Sequence, residues 1–259
     1  MNYQNRITKL RQEIKEQNLD AILISDVPNI LYFTGFSNFS KEEREGYLIV
    51  TKKNSYIITD TLYSEAVDKE VSHCKLLVKT SSEPFLVLLK NLIKKEKILS
   101  LCFEENDISV SEFKLIRKAF PRTSMLRSIQ VAELREIKED NEIELIQKAC
   151  QIGDAAFDFI LGKIKPGISE KELAWELEKF IKDQKAELSF STIVAFGPNS
   201  SVPHHQTSDK RLQPKSDRSL SETNENIILI DFGVKYKNYC SDMTRTVFFG
   251  KANTEQKKM

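Results

Sequence analysis

The chain has 259 residues, enough for one large or two ordinary domains. Hydrophobic residues make up 40% and charged residues 30%, a balance typical of soluble globular proteins rather than disordered or membrane ones. The 39 Lys and Arg almost cancel the 38 Asp and Glu, so the net charge of +1 indicates no nucleic-acid or anionic-membrane partner. No segment approaches the roughly 20 apolar residues needed to span a bilayer.

The four cysteines form no CxxC pair and no zinc-site spacing, so they are interpreted as reduced thiols. The N-terminal 17 residues follow an amphipathic helix pattern and lack the apolar core of a signal peptide. We therefore expect a cytoplasmic protein.

The first half alternates helical and strand patterns. Ile7, Leu10 and Ile14 recur at helical spacing. The later segments predict strands over 20–24, 46–50, 55–60, 75–78 and 98–103, and helices over 61–69, 84–95 and 109–119. Elements of these lengths in this order predict an α/β domain over residues 1–128.

A second domain is predicted over residues 129–259. Its apolar spacing indicates a long helix that ends at Pro166-Gly167. Ser169 and Glu172 then form a capping box at the start of the next helix. A strand over 190–196 follows, and a long polar connection over 206–226 leads to two further strands, 227–233 and 241–250.

Those last two strands carry Asp231 and Asp242. A turn centred between Tyr236 and Lys237 would place the two aspartates directly opposite each other, with Cβ atoms only about 5 Å apart. Like charges repel there, and a bound divalent cation with carboxylate ligands would resolve the conflict. An alternative interpretation stays open, in which one aspartate caps a turn and the other faces water.

Several segments together resemble the creatinase/aminopeptidase family with the pita-bread catalytic fold, in particular its Xaa-Pro peptidase branch. They are TIVAFGPNS at 192–200, PHH at 203–205, IDFG at 230–233, YCSDMTRT at 239–246 and NILYFTGF at 29–36. The resemblance implies an α/β creatinase-like N-terminal domain followed by the first part of an α+β pita-bread domain.

The resemblance also implies roles for individual residues. Asp231 and Asp242 would be the first two protein ligands of a dinuclear site for manganese, cobalt, iron or zinc. His204 would be a non-ligand histidine that hydrogen-bonds the substrate carbonyl or the oxyanion formed from it. The two metals would act as Lewis acids on that carbonyl. His205 stays open, because an exposed loop histidine is at least as good an interpretation.

The implied substrates are peptides with proline second, cut at the bond before proline. The family also forms dimers, which makes a homodimer the implied assembly. Other readings on the same fold are a non-catalytic peptide-binding or scaffold protein and a creatinase-type hydrolase. The N-terminal domain argues against a methionine aminopeptidase.

The chain departs from the family pattern in three places. Asn238 stands where the family commonly has glycine, which is mild because Asn tolerates left-handed backbone. Residues 214–223 are interpreted as a surface-loop insertion. The family site also needs a histidine and two glutamates downstream of the hairpin, so we expect a chain truncated at its C-terminus and inactive alone.

Overall fold

The structure is a computed structural model and describes residues 1–40, 42–126, 131–213, 226–250, 252, 254 and 256–258. It divides into two compact units, Met1–Lys138 and Glu139–Met259. Ser128, where the sequence analysis ends the first domain, lies outside the described residues. The units divide later because the short 3-10 helix Val131–Arg135 packs onto the first unit through Val131 and Leu134.

The first unit contains a mixed sheet, ordered β4-β3-β2-β1-β5-β6 in the part of the chain that is described. Its elements are α1 Tyr3–Glu16, β1 Ala21–Ile24, α2 Val27–Thr34, β2 Gly46–Thr51, β3 Ser55–Asp60, α3 Thr61–Glu70, β4 Lys75–Lys79, α4 Phe85–Glu96, β5 Ser100–Phe103, α5 Val110–Ala119 and β6 Ser124–Leu126. The predicted helices and strands of this half are confirmed, with small shifts at their ends.

Both faces of this sheet are covered. Successive strand residues point to opposite faces, so Ile22 packs into the cluster that contains α1 and α2, and Leu23 into the cluster that contains α4. Both side chains are fully buried. The sheet therefore forms two cores, one on each side.

Helix α2 shows how the sequence ends an element in this unit. Pro28 lies in its first turn, and Gly35 ends it in the left-handed conformation at φ 81°. A Cβ on Gly35 would lie 2.7 Å from ring atoms of Tyr3. The positive φ therefore favours glycine there, and a larger residue would also have to displace the Tyr3 ring.

The second unit contains two helices and short strands in two sheets, which are ordered β12-β9-β8 and β11-β10-β7 among the described residues. Its elements are α6 Asp140–Leu161, α7 Glu170–Asp183, β7 Glu187–Leu188, β8 Ile193–Phe196, a 3-10 helix Gly197–Ser201, β9 Ile227–Phe232, β10 Val234–Tyr236, β11 Tyr239–Cys240, β12 Met243–Phe248 and a 3-10 helix Gln256–Lys258. The predicted capping box at Ser169 and Glu172 is confirmed. The connection interpreted as an insertion, 214–223, lies outside the described residues.

One face of the β12-β9-β8 sheet is covered by the core that contains α6 and α7. Along β9, Ile228, Ile230 and Phe232 are fully buried in that core, whereas Leu229 and Asp231 are only half-buried on the other face. The half-open face of this sheet is thus the one that carries Asp231. Over the described part of the chain, no helix combines the length and apolar character needed to cross a membrane.

Candidate functional site

The register of the aspartate hairpin differs from the predicted one. Its turn is Lys237-Asn238, with φ values of 46° and 70°, and Tyr236 pairs with Tyr239. In the same register Asp231 pairs with Thr244, so Asp242 falls opposite Gly233. The two aspartates are therefore diagonal neighbours rather than a directly opposed pair, and the predicted opposition is wrong.

The turn explains the error. Two-residue hairpin loops need positive φ at both positions, which usually requires Gly or Asn. Here Asn238 supplies one such residue and Lys237 adopts the other without a glycine to mark it. No glycine marks the turn in the sequence, and the predicted centre lies one residue too early.

Both carboxylates are also open to solvent. Asp231 is half-buried and Asp242 is exposed, so water reaches both. Thr244 Oγ1 donates a hydrogen bond of 2.8 Å to Asp231 Oδ1. Repulsion within the hairpin thus does not by itself demand a cation, and the ligand roles of Asp231 and Asp242 stay predictions.

Ser189 fixes the hairpin between the two aspartates. Its backbone N–H donates to the carbonyl of Gly233 at 3.0 Å, and its Oγ donates to the carbonyl of Ser241 at 3.0 Å. A Cβ on Gly233 would collide with Ser189 Oγ and with the Ser241 carbonyl oxygen. No sequence pattern marks Ser189, because its partners are backbone atoms that any residue type would offer.

The chain just after the two histidines lies alongside β8, the strand that pairs with β9. Thr207 Oγ1 accepts from Val194 N at 3.0 Å and donates to Thr192 O at 3.2 Å. Strand β8 in turn places Ile193 opposite Asp231. The structure therefore brings this segment to the strand that borders Asp231.

The two histidines differ in their surroundings. His204 is exposed and has a left-handed backbone, φ 54°. The side chain of His205 is only 13% exposed, and its Nε2 lies 2.9 Å from Glu170 Oε2. The interpretation of His205 as an exposed loop histidine is wrong, because its ring is held by a buried carboxylate.

Glu170 was missed as a functional candidate, since in the sequence it is one of two acids at the start of a helix. Its side chain is fully buried and accepts hydrogen bonds from Phe196, Asn199, His205 and Ser208. Burial raises the pKa of Glu170, but the hydrogen bonds from Ser208, His205, Phe196 and Asn199 together outweigh burial and leave the pKa below its ordinary value. We therefore treat the carboxylate as ionised at neutral pH.

Among the residues that the structure describes, no group of three or more His, Cys, Asp or Glu side chains is arranged to hold a metal ion. What the second unit offers is a hairpin with two acidic positions, one half-buried and one exposed, and a histidine segment along the neighbouring strand. The chain as a whole has an α/β sheet unit followed by a unit whose described residues form helices and short antiparallel sheets.

Comparison with known proteins defines the class. Residues 6–137 match the creatinase/prolidase N-terminal domain, and residues 144–259 match metallopeptidase family M24. The chain is similar to the uncharacterized peptidase YqhT of Bacillus subtilis, with 30% identity over 98% of this chain and 68% of that protein.

Solved structures agree. The chain is similar to the Xaa-Pro dipeptidase from Bacillus anthracis, with 31% identity, a TM-score of 0.84, and coverage of 99% of this chain and 68% of the other. It is also similar to the X-Pro aminopeptidase from Thermotoga maritima, with 31% identity, a TM-score of 0.82, and coverage of 97% and 67%. The chain belongs to metallopeptidase family M24 and carries that family's creatinase/prolidase N-terminal domain.

Proposed function

We propose that this chain carries part of a divalent-metal-dependent peptidase that hydrolyses the bond before proline. The observation that carries the proposal is the position of Asp231. It lies inside the region that matches the family, on the half-open face of its sheet, and its strand pairs with β8, which the His204 segment follows. The named activities of the similar solved structures, an Xaa-Pro dipeptidase and an X-Pro aminopeptidase, support the choice of substrate class.

The two aspartates fit a hard divalent ion by their chemistry. Carboxylate oxygens are the ligands that manganese and similar ions prefer. Asp231 uses Oδ1 to accept from Thr244, and Asp242 is exposed. Asp231 and Asp242 would hold manganese, cobalt, iron or zinc, and a bound ion would supply Lewis-acid polarisation of the scissile carbonyl.

His204 is the residue of this chain that would act on the substrate directly. Its exposed ring is free to donate a hydrogen bond to the carbonyl oxygen of the residue before proline, where negative charge develops. His205 is engaged by Glu170, which favours His204 over His205 for this role.

We further infer that these 259 residues alone do not turn over substrate. The sequence has three histidines, His73, His204 and His205, and none follows the hairpin. Two carboxylates leave much of the coordination of two ions to water, and among the described residues no further His, Cys, Asp or Glu joins them in a group that could hold a metal ion.

Titration of the purified chain with manganese, followed by calorimetry, tests the metal role. We expect weak binding that is lost in Asp231→Asn and kept in Asp154→Asn, a matched change at an exposed position of α6. Tight binding of two ions would contradict the expected weak metal binding, and metal-dependent cleavage of an Xaa-Pro dipeptide that Asp231→Asn abolishes would contradict the inactivity of this chain.

Absence of any manganese binding, together with binding of a proline-containing peptide, would instead support the non-catalytic peptide-binding alternative.

A homodimer and a cytoplasmic location are further parts of the proposal. The four cysteines, Cys74, Cys102, Cys150 and Cys240, are free, in keeping with a reducing compartment. Light scattering of the chain tests the dimer, and cell fractionation tests the location.

A further inference from the structure

The segment from Phe196 to Ser208 begins and ends on one carboxylate. At its start, Glu170 Oε1 accepts from Phe196 N at 2.7 Å and from Asn199 Nδ2 at 2.8 Å. At its end, Oε2 accepts from Ser208 N at 2.8 Å and Ser208 Oγ at 2.6 Å, and lies 2.9 Å from His205 Nε2. The two oxygens thus divide the segment between them.

The backbone of the helix start adds two further ties. Glu170 N donates to Lys210 O at 3.0 Å, and Lys171 N donates to Ser208 O at 3.1 Å. These bonds also satisfy first-turn N–H groups that have no partner inside the helix. The first turn of α7 therefore anchors the far end of the segment with both side chain and backbone.

Because the Glu170 side chain is fully buried, its charge needs hydrogen-bond donors from the protein. A buried charge is tolerated only when hydrogen bonds replace its lost hydration, and Glu170 takes five from a single segment. Hydrogen bonds to an ionised acceptor are short and strong, as seen here. Moving the segment would leave the charge without these donors.

These contacts hold the ring of His205 against Glu170 and leave His204 exposed. With the carboxylate as its acceptor, His205 Nε2 carries the proton, which sets the tautomer of that ring. The adjacent His204 is exposed and adopts a positive φ of 54°. Such a backbone conformation is sparsely populated for residues other than glycine and persists when its surroundings determine it.

We propose that Glu170 is a positioning residue for His204. By holding both ends of the segment and the ring of His205, it fixes the left-handed turn that presents the His204 ring to solvent and so to a substrate carbonyl. This role rests on the proposed peptidase function, in which His204 contacts the substrate and Glu170 does not.

The test is NMR of the ¹⁵N-labelled 259-residue chain, in which the three histidines make the ring signals few enough to assign. Glu170→Gln keeps the shape but offers one acceptor oxygen for the two ends of the segment. We expect His205 to lose its single tautomer, His204 to lose left-handed backbone shifts, and amide exchange at Phe196 or Ser208 to rise about tenfold or more.

The matched control is Glu176→Gln, the same change on the same helix at a carboxylate that pairs with Lys163 at 3.0 Å. It should leave the ring and backbone signals of both histidines unchanged. His73, whose Nε2 lies 2.9 Å from Phe33 O in the first unit, is the internal reference in every sample. Unchanged His204 and His205 signals in Glu170→Gln would overturn the positioning role.

If Glu170→Gln fails to fold, Ser208→Ala takes its place, because it removes one donor from Oε2 and none from Oε1, although it also removes the acceptor of Lys210 N. Exchange at Ser208 should then rise while exchange at Phe196 stays the same, and equal exchange at both amides in variant and parent would overturn the proposal. Manganese-induced broadening near Asp231 is recorded on the same samples. Its absence in the parent chain would count against the proposed function and leave the result at the histidine segment readable.

Discussion

The two units bury their sheets in different ways although their strands look alike in sequence. The β1 segment, Ala-Ile-Leu-Ile, is fully buried on both faces, whereas the β9 segment, Ile-Ile-Leu-Ile-Asp-Phe, alternates between buried and half-buried. Helices cover both faces in the first unit and one face in the second, over the described residues. An apolar run therefore does not tell whether a strand has one covered face or two.

The two units also differ in the hydrogen bonding and pKa of a buried carboxylate. Glu104 in the first unit accepts from Ser25 N at 2.7 Å, Asp26 N at 2.8 Å and Asn29 Nδ2 at 2.6 Å. Burial raises the pKa of Glu104, and these donors do not offset it. Glu170 has five donors, and its pKa is lowered. Fewer donors and the nearby charge of Asp26 both favour the raised pKa of Glu104, whereas the larger set of donors lowers the pKa of Glu170.

Alanine substitutions along the two strands give the largest expected effects. Ile22→Ala and Leu23→Ala should each lower the free energy of unfolding of the first unit by about 2–5 kcal/mol, because both side chains are fully buried. In the second unit Ile230→Ala should cost as much, and Leu229→Ala less by a factor of about two or more. Denaturant unfolding followed by NMR signals of each unit measures this, and equal costs at Leu229 and Ile230 would break the comparison.

The next largest loss of stability is expected at Gly233, where the chain passes from the sheet that contains β9 to the sheet that contains β10. Gly233→Ala should destabilise that unit by about 1–3 kcal/mol, because the added methyl meets Ser189 Oγ and the Ser241 carbonyl in a tight space. Gly162→Ala is the control, since its φ of −69° suits alanine and its nearest atom is 3.4 Å away. Thermal unfolding of both variants measures the difference, and a neutral Gly233→Ala would show that the hairpin shifts freely.

The two carboxylates predict opposite pH trends. The folded-state pKa of Glu170 lies below its unfolded value of about 4.3, so its contribution to stability is present above that pH and is lost as the pH falls through the folded pKa. The pKa of Glu104 is raised, so its burial cost is absent below about pH 4.3 and grows as the pH rises through the folded pKa.

Unfolding of each unit measured as a function of pH checks these trends. Glu170→Gln should reduce the loss of unfolding free energy that the second unit shows at acid pH. Glu104→Gln should reduce the change of unfolding free energy with pH in the first unit. Parallel trends in the two units would contradict the assignment of the two shifts.

Local signals explain what sequence could predict. The capping box at Ser169/Glu172 depends on residues three apart, and the structure has it. The resemblance predicted the order of the two domains. The hairpin register was missed because a lysine occupies a turn position that glycine usually marks. The role of Glu170 was missed because its partners lie 26 to 38 residues further along the chain.

The smallest expected effect concerns the half-open face itself. Thr244→Val removes the hydroxyl that donates to Asp231 at 2.8 Å, and because Thr244 is exposed the cost should be about 1 kcal/mol or less. Thr246→Val is the matched control, since it lies two residues on along β12, is also exposed, and makes the same change in strand propensity. Any excess cost of Thr244→Val in thermal unfolding measures the hydrogen bond alone. Equal effects would mean that Asp231 is not held by Thr244 in solution, and the carboxylate would then have to be ordered by a bound cation or not at all.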